Sequence, residues 1–338
     1  MKFKAKLVNP ILLKQICDSM SKVDKKFYMS IKPKELHFYQ KSDITDGLQL
    51  SGKVNTLSIF NEVVLNSKSN NEIILNISIQ SLSKIIQKEY SGSEYLINVR
   101  LKNKVIVPPS AAPGGSSSQA SSSSTLVSAA GGGGGGGGSG IQQPELLFTI
   151  CRNSNQFMVI QEELFVEIVQ KSLFDEVKSV PDLPNPDAAF FVPTGTGANA
   201  NRFLSIVEKF QRFTTKNVTL TVFGGSSLSI QVDNSSYSVS AVFKEIELIA
   251  LDTGGNDVSD TSSAGGAGSS GQQVVAVRVD VGKLYRVVSC ASKVFRKIVC
   301  CIVSGSTIVF SGKSDDLQIT YYVPILVEYD SCGKREMG

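Results

Sequence analysis

The stretch Leu75–Ile86 recurs without a gap as Val277–Val288, and this repeat constrains the chain more than any other feature. Every aliphatic residue of the first copy meets an aliphatic residue in the second. Ser78 and Asp280, both good helix N-caps, fall at the same strand-to-helix junction. Lys84 and Arg286 occupy the same place in the helices that follow. Strand–turn–strand pieces repeat too, as Ile31 through Leu36-His37-Phe38 and Phe223 through Leu228-Ser229-Ile230. The first helix of each half is introduced alike, by Val8-Asn9-Pro10 and by Val192-Pro193. One such match says only that strand–helix junctions look alike. Several in the same order imply a duplicated unit.

Strand patterns dominate both copies. Lys2–Val8 alternates basic and apolar residues, and Phe27–Ile31 and Leu36–Tyr39 flank the turn Lys32-Pro33-Lys34-Glu35. Further strands are expected at Leu48–Val54, Ile59–Leu65, Ile73–Ile79, Tyr95–Leu101, Glu145–Cys151 and Phe157–Val169. After a proline-rich link they resume at Ala188–Val192, Val218–Phe223, Leu228–Val232, Tyr237–Phe243, Val274–Val279, Ile298–Val303, Thr307–Phe310 and Leu317–Val323. Four helices are expected, at Ile11–Val23, Ile79–Glu89, Ala198–Phe213 and Val281–Ala291. The boundaries that follow are a first domain over 1–169, a connector over 170–186, a second domain over 187–325 and a tail over 326–338. Two low-complexity insertions, 108–143 with eight consecutive glycines and 252–271, hold too few apolar side chains to offset the entropy of ordering them. The remainder, with 41% hydrophobic residues overall, is ample for two cores.

Charge is unevenly placed. Residues 1–109 carry 17 Lys and Arg against 9 Asp and Glu, and the rest carry 17 against 21, so the N-terminal part suits a polyanionic partner. Splitting each helix by its period puts Lys14 and Lys22 on the outer face of the first and Lys84 and Lys88 on that of the second. The third presents Arg202, Lys209 and Arg212, and the fourth Lys283, Arg286 and Lys293. For one helix a solvated face explains this pattern, but all four share it. Basic faces without a recognition motif or aromatic platforms suit phosphate contacts that ignore base sequence.

Catalysis is hard to assemble from these residues. His37 is the sole histidine, which makes Ser-His-Asp, Cys-His and histidine-rich metal sites implausible; its expected role is that of an ordinary half-buried or surface side chain. Neither a cofactor nor a metal nor a small-molecule substrate is expected. Gly195-Thr196-Gly197-Ala198-Asn199-Ala200 fits a dinucleotide-binding loop, yet no acidic residue closes the next strand, Val218–Phe223. Ser311-Gly312-Lys313-Ser314 lacks the upstream glycine of a phosphate loop and reads as a hairpin turn. Six cysteines without CxxC spacing read as reduced and mostly buried, in a cytosolic or nuclear setting. No signal peptide is expected, because Met1 leads straight into an alternating strand pattern, and no membrane span, since no apolar run nears the roughly 18 residues that a crossing needs.

Several phrases resemble the Hus-type subunit of the 9-1-1 checkpoint clamp, a family similar to the replicative clamp PCNA. They are Met1 to Val8, Ile31-Lys32-Pro33-Lys34-Glu35-Leu36, Phe60-Asn61-Glu62, Asn70-Asn71-Glu72-Ile73, Val180 to Asp187 ahead of Phe191-Val192-Pro193, and Leu317 to Pro324. The likeness covers nearly all of the chain outside the two insertions and the tail. It implies an α+β protein made of two tandem copies of the clamp fold, with antiparallel sheets outside and four helices lining the inner face. It implies a non-catalytic, nuclear and also cytoplasmic subunit of a heterotrimer, with two other clamp-like checkpoint subunits, a clamp loader and duplex DNA as partners. The basic residues named above would face the DNA channel. Strands Phe157–Val169 and Tyr237–Phe243 would be the edges that pair with neighbours, through Phe157, Val159, Tyr237, Val239 and Val242. Partners would dock beside the connector, and both insertions would bulge away from the channel. Two alternatives remain open: a homotrimeric replicative clamp, and a nucleotide-binding α/β enzyme using the glycines at 195–197.

Overall fold

The computed structural model describes residues 1–41, 47–87, 95–106, 141–152, 155–181, 183–193, 200–213, 216–224, 226–251 and 274–326. The first half runs β1 (Lys2–Leu7), α1 (Pro10–Met20), β2 (Lys26–Ile31), β3 (Glu35–Lys41), β4 (Gln49–Asn55), α2 (Thr56–Ile59), β5 (Phe60–Asn66), β6 (Ile73–Ser78), α3 (Ile79–Gln87), β7 (Tyr95–Ile106), β8 (Ile141–Arg152) and β9 (Asn155–Ile168). A 3₁₀ turn (Lys171–Leu173) and α4 (Phe174–Lys178) follow. The second half runs β10 (Ala188–Phe191), α5 (Ala200–Gln211), β11 (Asn217–Phe223), β12 (Ser227–Asn234), β13 (Tyr237–Lys244), β14 (Val274–Asp280), α6 (Val281–Val294), β15 (Ile298–Val303), β16 (Thr307–Lys313) and β17 (Leu317–Pro324).

Local sequence explains the helix starts. Asn9 accepts the Leu12 amide at 2.9 Å with Pro10 in the first turn, and Asp280 accepts the Lys283 amide at 2.9 Å. Ser78 accepts the Ser81 amide at 3.4 Å. The α1 stripe Leu13, Ile16, Cys17 and Met20 is buried, as is the α6 stripe Val281, Leu284, Val288 and Ala291. Burying such a side chain contributes roughly 1.5–3 kcal/mol as an upper bound.

Duplication is complete at the level of pairing. In the first half β1 lies between β5 and β7, β8 and β9 continue the sheet, and β6-β2-β3-β4 forms a second run. In the second half β10 pairs with β15 and, through Phe190–Leu248, with a strand-like segment at 246–249; β16 and β17 continue it, and β14-β11-β12-β13 repeats the second run. Even single registers agree, for Ile77 faces Val166 as Val279 faces Ile325. The halves join where β17 pairs antiparallel with β4, from Leu317–Val54 to Tyr322–Gln49, so one 13-stranded sheet runs across both.

Several expectations need correction. Two short helices, α2 and α4, join the four expected, because four or five residues carry too little periodicity to register. Ile59 ends α2 rather than opening a strand, and Gln142 and Gln143 belong to β8 rather than to an insertion. Among the described residues one continuous cluster holds most of the buried apolar side chains of both halves, in place of two separate cores. The cause is the seam, where α1 packs on α6 and β17 extends the β3–β4 run. Elsewhere the packing is equally close. A Cβ on Gly312 would stand 2.2 Å from the Phe295 ring, which explains a glycine inside β16.

Candidate nucleic-acid interface and open strand edges

The four long helices form one row, α3 against α1, α1 against α6 and α6 against α5. The sequence-predicted basic residues distribute unevenly over it. Lys84, Arg202, Lys209 and Lys293 are exposed on their helices, and Lys14, Lys283 and Arg286 are half-buried. Arg212 stands just past the end of α5 and pairs with Glu208 at 2.9 Å. Lys88 lies outside the described residues.

Lys22 corrects the helical-face reading most sharply. Helix α1 ends at Met20, so Lys22 sits in the turn after it. Its ammonium donates to Ser289 Oγ on α6 and stands 5.2 Å from the Tyr285 ring centroid. The charge thus helps to join the halves, and no sequence signal could have linked residues 267 positions apart. What remains is a set of cations on neighbouring helices, a type of group that holds phosphate oxygens without reading base edges.

Of the two predicted edge strands, β13 is the end of the four-stranded sheet and pairs only with β12 among the described residues. Val239 and Val242 on it are exposed, the latter 57%, and Tyr237 is half-buried beside Phe213. Strand β9 is not an end strand, which corrects the prediction for Phe157–Val169. Its Val166–Ile168 stretch pairs with β6 while β8 flanks its other side, and only the portion before Val166 is open among the described residues. Val159 in that open portion is 49% exposed; Phe157 is in the strand, but its side chain lies outside the described residues. Sequence periodicity marks the strand and cannot reveal that β6 covers one end of a side whose remainder is open among the described residues.

The connector is docked rather than loose. Phe174 and Val177 are buried with Ile74 of β6, against Tyr28 and Tyr39. Glu72 fastens it: Ser30 Oγ donates to one carboxylate oxygen at 2.5 Å and Lys178 Nζ to the other at 2.7 Å, with Lys32 Nζ 3.9 Å away. Burial pushes the Glu72 carboxyl up, but the Lys178 and Ser30 hydrogen bonds and the two lysine charges outweigh it and hold the group below its ordinary range. A carboxylate that titrates lower folded than unfolded stabilises in full above its unfolded pKa and loses that contribution as pH falls through the folded value. Hydrogen exchange at 174–178, corrected for intrinsic rate, is therefore expected to accelerate on acidification below the ordinary carboxylate range. In a Glu72→Gln chain it should already be fast at neutral pH; equal protection in both chains at every pH would refute the anchor.

The remaining sequence motifs fall partly in ordinary structural elements and partly outside the described residues. Most of the 195–200 glycine motif lies outside the described residues, and Ala200 opens α5. Ser311, Gly312 and Lys313 belong to β16 and Ser314 to its turn, as a hairpin requires. His37 is half-buried, 3.1 Å from Glu35, whose carboxyl is held down to about 2 by Lys53 and then His37. Cys17, Cys290 and Cys300 are buried free thiols, and burial pushes Cys17 up to about 12. Among the described residues no group of acidic, cysteine or histidine side chains could hold a metal, and no helix is long and apolar enough to cross a membrane.

Comparison with known proteins agrees with the architecture. The model of the family described as Hus1-like protein matches residues 1–327. The checkpoint protein hus1 homolog of Dictyostelium discoideum is 22% identical over 328 residues, covering 97% of this chain and all (100%) of that one. Checkpoint protein HUS1 of Homo sapiens is 20% identical over 334 residues, covering 96% and 100%. Among solved structures, the proliferating cellular nuclear antigen of Entamoeba histolytica superposes with a TM-score of 0.59 at 11% identity, over 96% of this chain and 98% of that one. The fold is the α+β sliding-clamp fold, with antiparallel sheets outside and the helix row within, and the chain belongs to the Hus1-like protein family.

Proposed function

We propose that the chain is a non-catalytic subunit of a heterotrimeric ring that closes around duplex DNA and serves DNA-damage checkpoint signalling and repair. It would act in the nucleus, with a cytoplasmic pool, and a clamp loader would open and close the ring. The single observation carrying this reading is the internal seam. There β17 pairs with β4, and their counterparts in the other half, β9 and β13, both have an open side. Repeating the β17–β4 junction between chains joins the open part of β9 on one subunit to a β13-type strand on the next. Such pairing satisfies backbone groups that an open edge leaves to water, and it propagates into a closed ring.

A specific mismatch favours different neighbours over identical ones. Transferring the seam register places Val159 opposite Val242 and Glu162 opposite Val239, where Tyr321 and Leu50 stand buried at the seam. Two copies of this chain would therefore press a carboxylate against an apolar edge, at a desolvation cost that a matched partner avoids. The exposed Lys84, Arg202, Lys209 and Lys293, with Arg212, half-buried Lys14, Lys283 and Arg286, and Lys88 beyond the described residues, would act on phosphates in the channel. Docking partners would meet the chain beside the connector, where Leu173 and Val180 are exposed. The domain boundaries expected at 169 and 186 fit this division into two clamp units and a connector.

Affinity purification of the chain is expected to bring down two other clamp-like chains. Val242→Lys should release one of them and Val159→Lys the other, because each edge meets a different neighbour, while both variants melt like the parent. A stable homotrimer of the purified chain, or loss of the same neighbour from both variants, would overturn the proposal.

A further inference from the structure

The two halves differ at one corner. In the first, β4 is joined to β5 by helix α2, and Ser58 on it donates to Asp316 Oδ1 at 2.8 Å in the turn between β16 and β17. The helix thus fills the space beyond the end of β4, and the hairpin of the adjoining half rests on it. In the second half no such helix follows β13 among the described residues. Lys244 ends the strand, Glu245 turns at φ 60°, and Phe191 already donates its amide to the Glu247 carbonyl at 2.9 Å. Beside the corresponding end of β13 lies an open cleft of about 190 Å³. Apolar side chains, among them Phe191, Pro193 and Ile246, make up half of its lining and charged ones, among them Glu245, Arg296 and Lys297, the other half, with the Lys297 ammonium 5.2 Å from the Phe191 ring centroid.

Resting on the ring reading above, we infer that this cleft receives an apolar side chain from the hairpin tip that leads into the paired strand of the neighbouring clamp subunit. Position argues for that occupant. At the internal seam the hairpin before β17 reaches the end of β4, so the equivalent hairpin of a neighbour reaches the end of β13, where α2 has no counterpart. Chemistry admits it, since the five apolar lining residues can cover such a group. Size agrees as well, because small-molecule sites run to roughly 300–1,000 Å³, more than this cleft provides. The chain thus presents a socket of mixed lining where its own seam has a polar contact, which makes its two junctions chemically distinct and helps to exclude a wrong neighbour.

Hydrogen exchange of the chain, isolated and in its purified complex, tests this directly. In the complex, residues 237–243 should gain protection from strand pairing, and residues 244–247 and 296–297 should slow with them by about tenfold or more. Protection of 237–243 alone would overturn the socket and leave the ring reading standing. With neither region protected, the ring reading fails as well. Protection of 244–247 that arises on merely concentrating the isolated chain would assign the cleft to a second copy and overturn the inference.

Discussion

Replacing Lys84, Lys209 and Lys293 together by glutamate is expected to lower the affinity of the assembled ring for duplex DNA by about 10²- to 10³-fold at ~0.1 M salt. The three side chains are exposed, and they stand on three different helices of the row. Each lost phosphate contact removes about 0.9 from the slope of log affinity against log salt, so the triple variant should flatten that slope by about 3. Because none of the three is buried, thermal unfolding should stay near that of the parent. Binding should weaken alike on unrelated DNA sequences, as expected for cations that touch only the backbone. A salt titration of the reconstituted ring measures both quantities. An unchanged slope would remove these helices from the DNA-facing role.

Tyr321→Ala should be the most damaging single change to stability, by about 3–5 kcal/mol. Tyr321 heads the fully buried side chains, and it sits on β17 at the seam, with its hydroxyl donating to the Ser19 carbonyl of α1 at 3.4 Å. Truncation leaves a cavity between the halves and a carbonyl without its partner. For a chain of this size each kcal/mol lowers the melting temperature by about 2–4 °C, so a fall of about 10 °C is expected. Tyr321→Phe keeps the ring and loses only the long hydrogen bond, so it should cost no more than about 1 kcal/mol. Denaturant melts of the two variants separate packing from hydrogen bonding. Equal losses would mean that the hydroxyl, and not the ring, holds the seam.

Prediction from sequence worked where the signal is local. The helix caps at Asn9, Ser78 and Asp280 lie within three residues of the amides they satisfy, and the predicted starts near Pro10, Ile79 and Val281 agree. Alternation of apolar residues located β1, β14 and β17, because a strand with one buried face has a period of two. Helix ends were placed less well. Val23 is buried by tertiary packing after α1 has stopped, so its apolar character imitates one more helical turn. For the same reason Lys22 falls in the outward row of the helical period, although it reaches across to Ser289 and Tyr285.

Family and fold were thus written in the chain, since both rest on short-range patterns and on a repeat that survives as matched residues. The sequence by itself determined two copies of one strand–helix unit, their order, and a surplus of cations on the helices. Only the tertiary structure decided how the copies meet. In it β17 pairs with β4 and merges their cores, β6 covers part of β9, Glu72 docks the connector, and a cleft lies beside β13. The physical reason is one of distance. Caps and periodicities act over a few residues, whereas strand registers and the Lys22–Ser289 hydrogen bond across the seam join residues more than 200 positions apart, which no local pattern encodes.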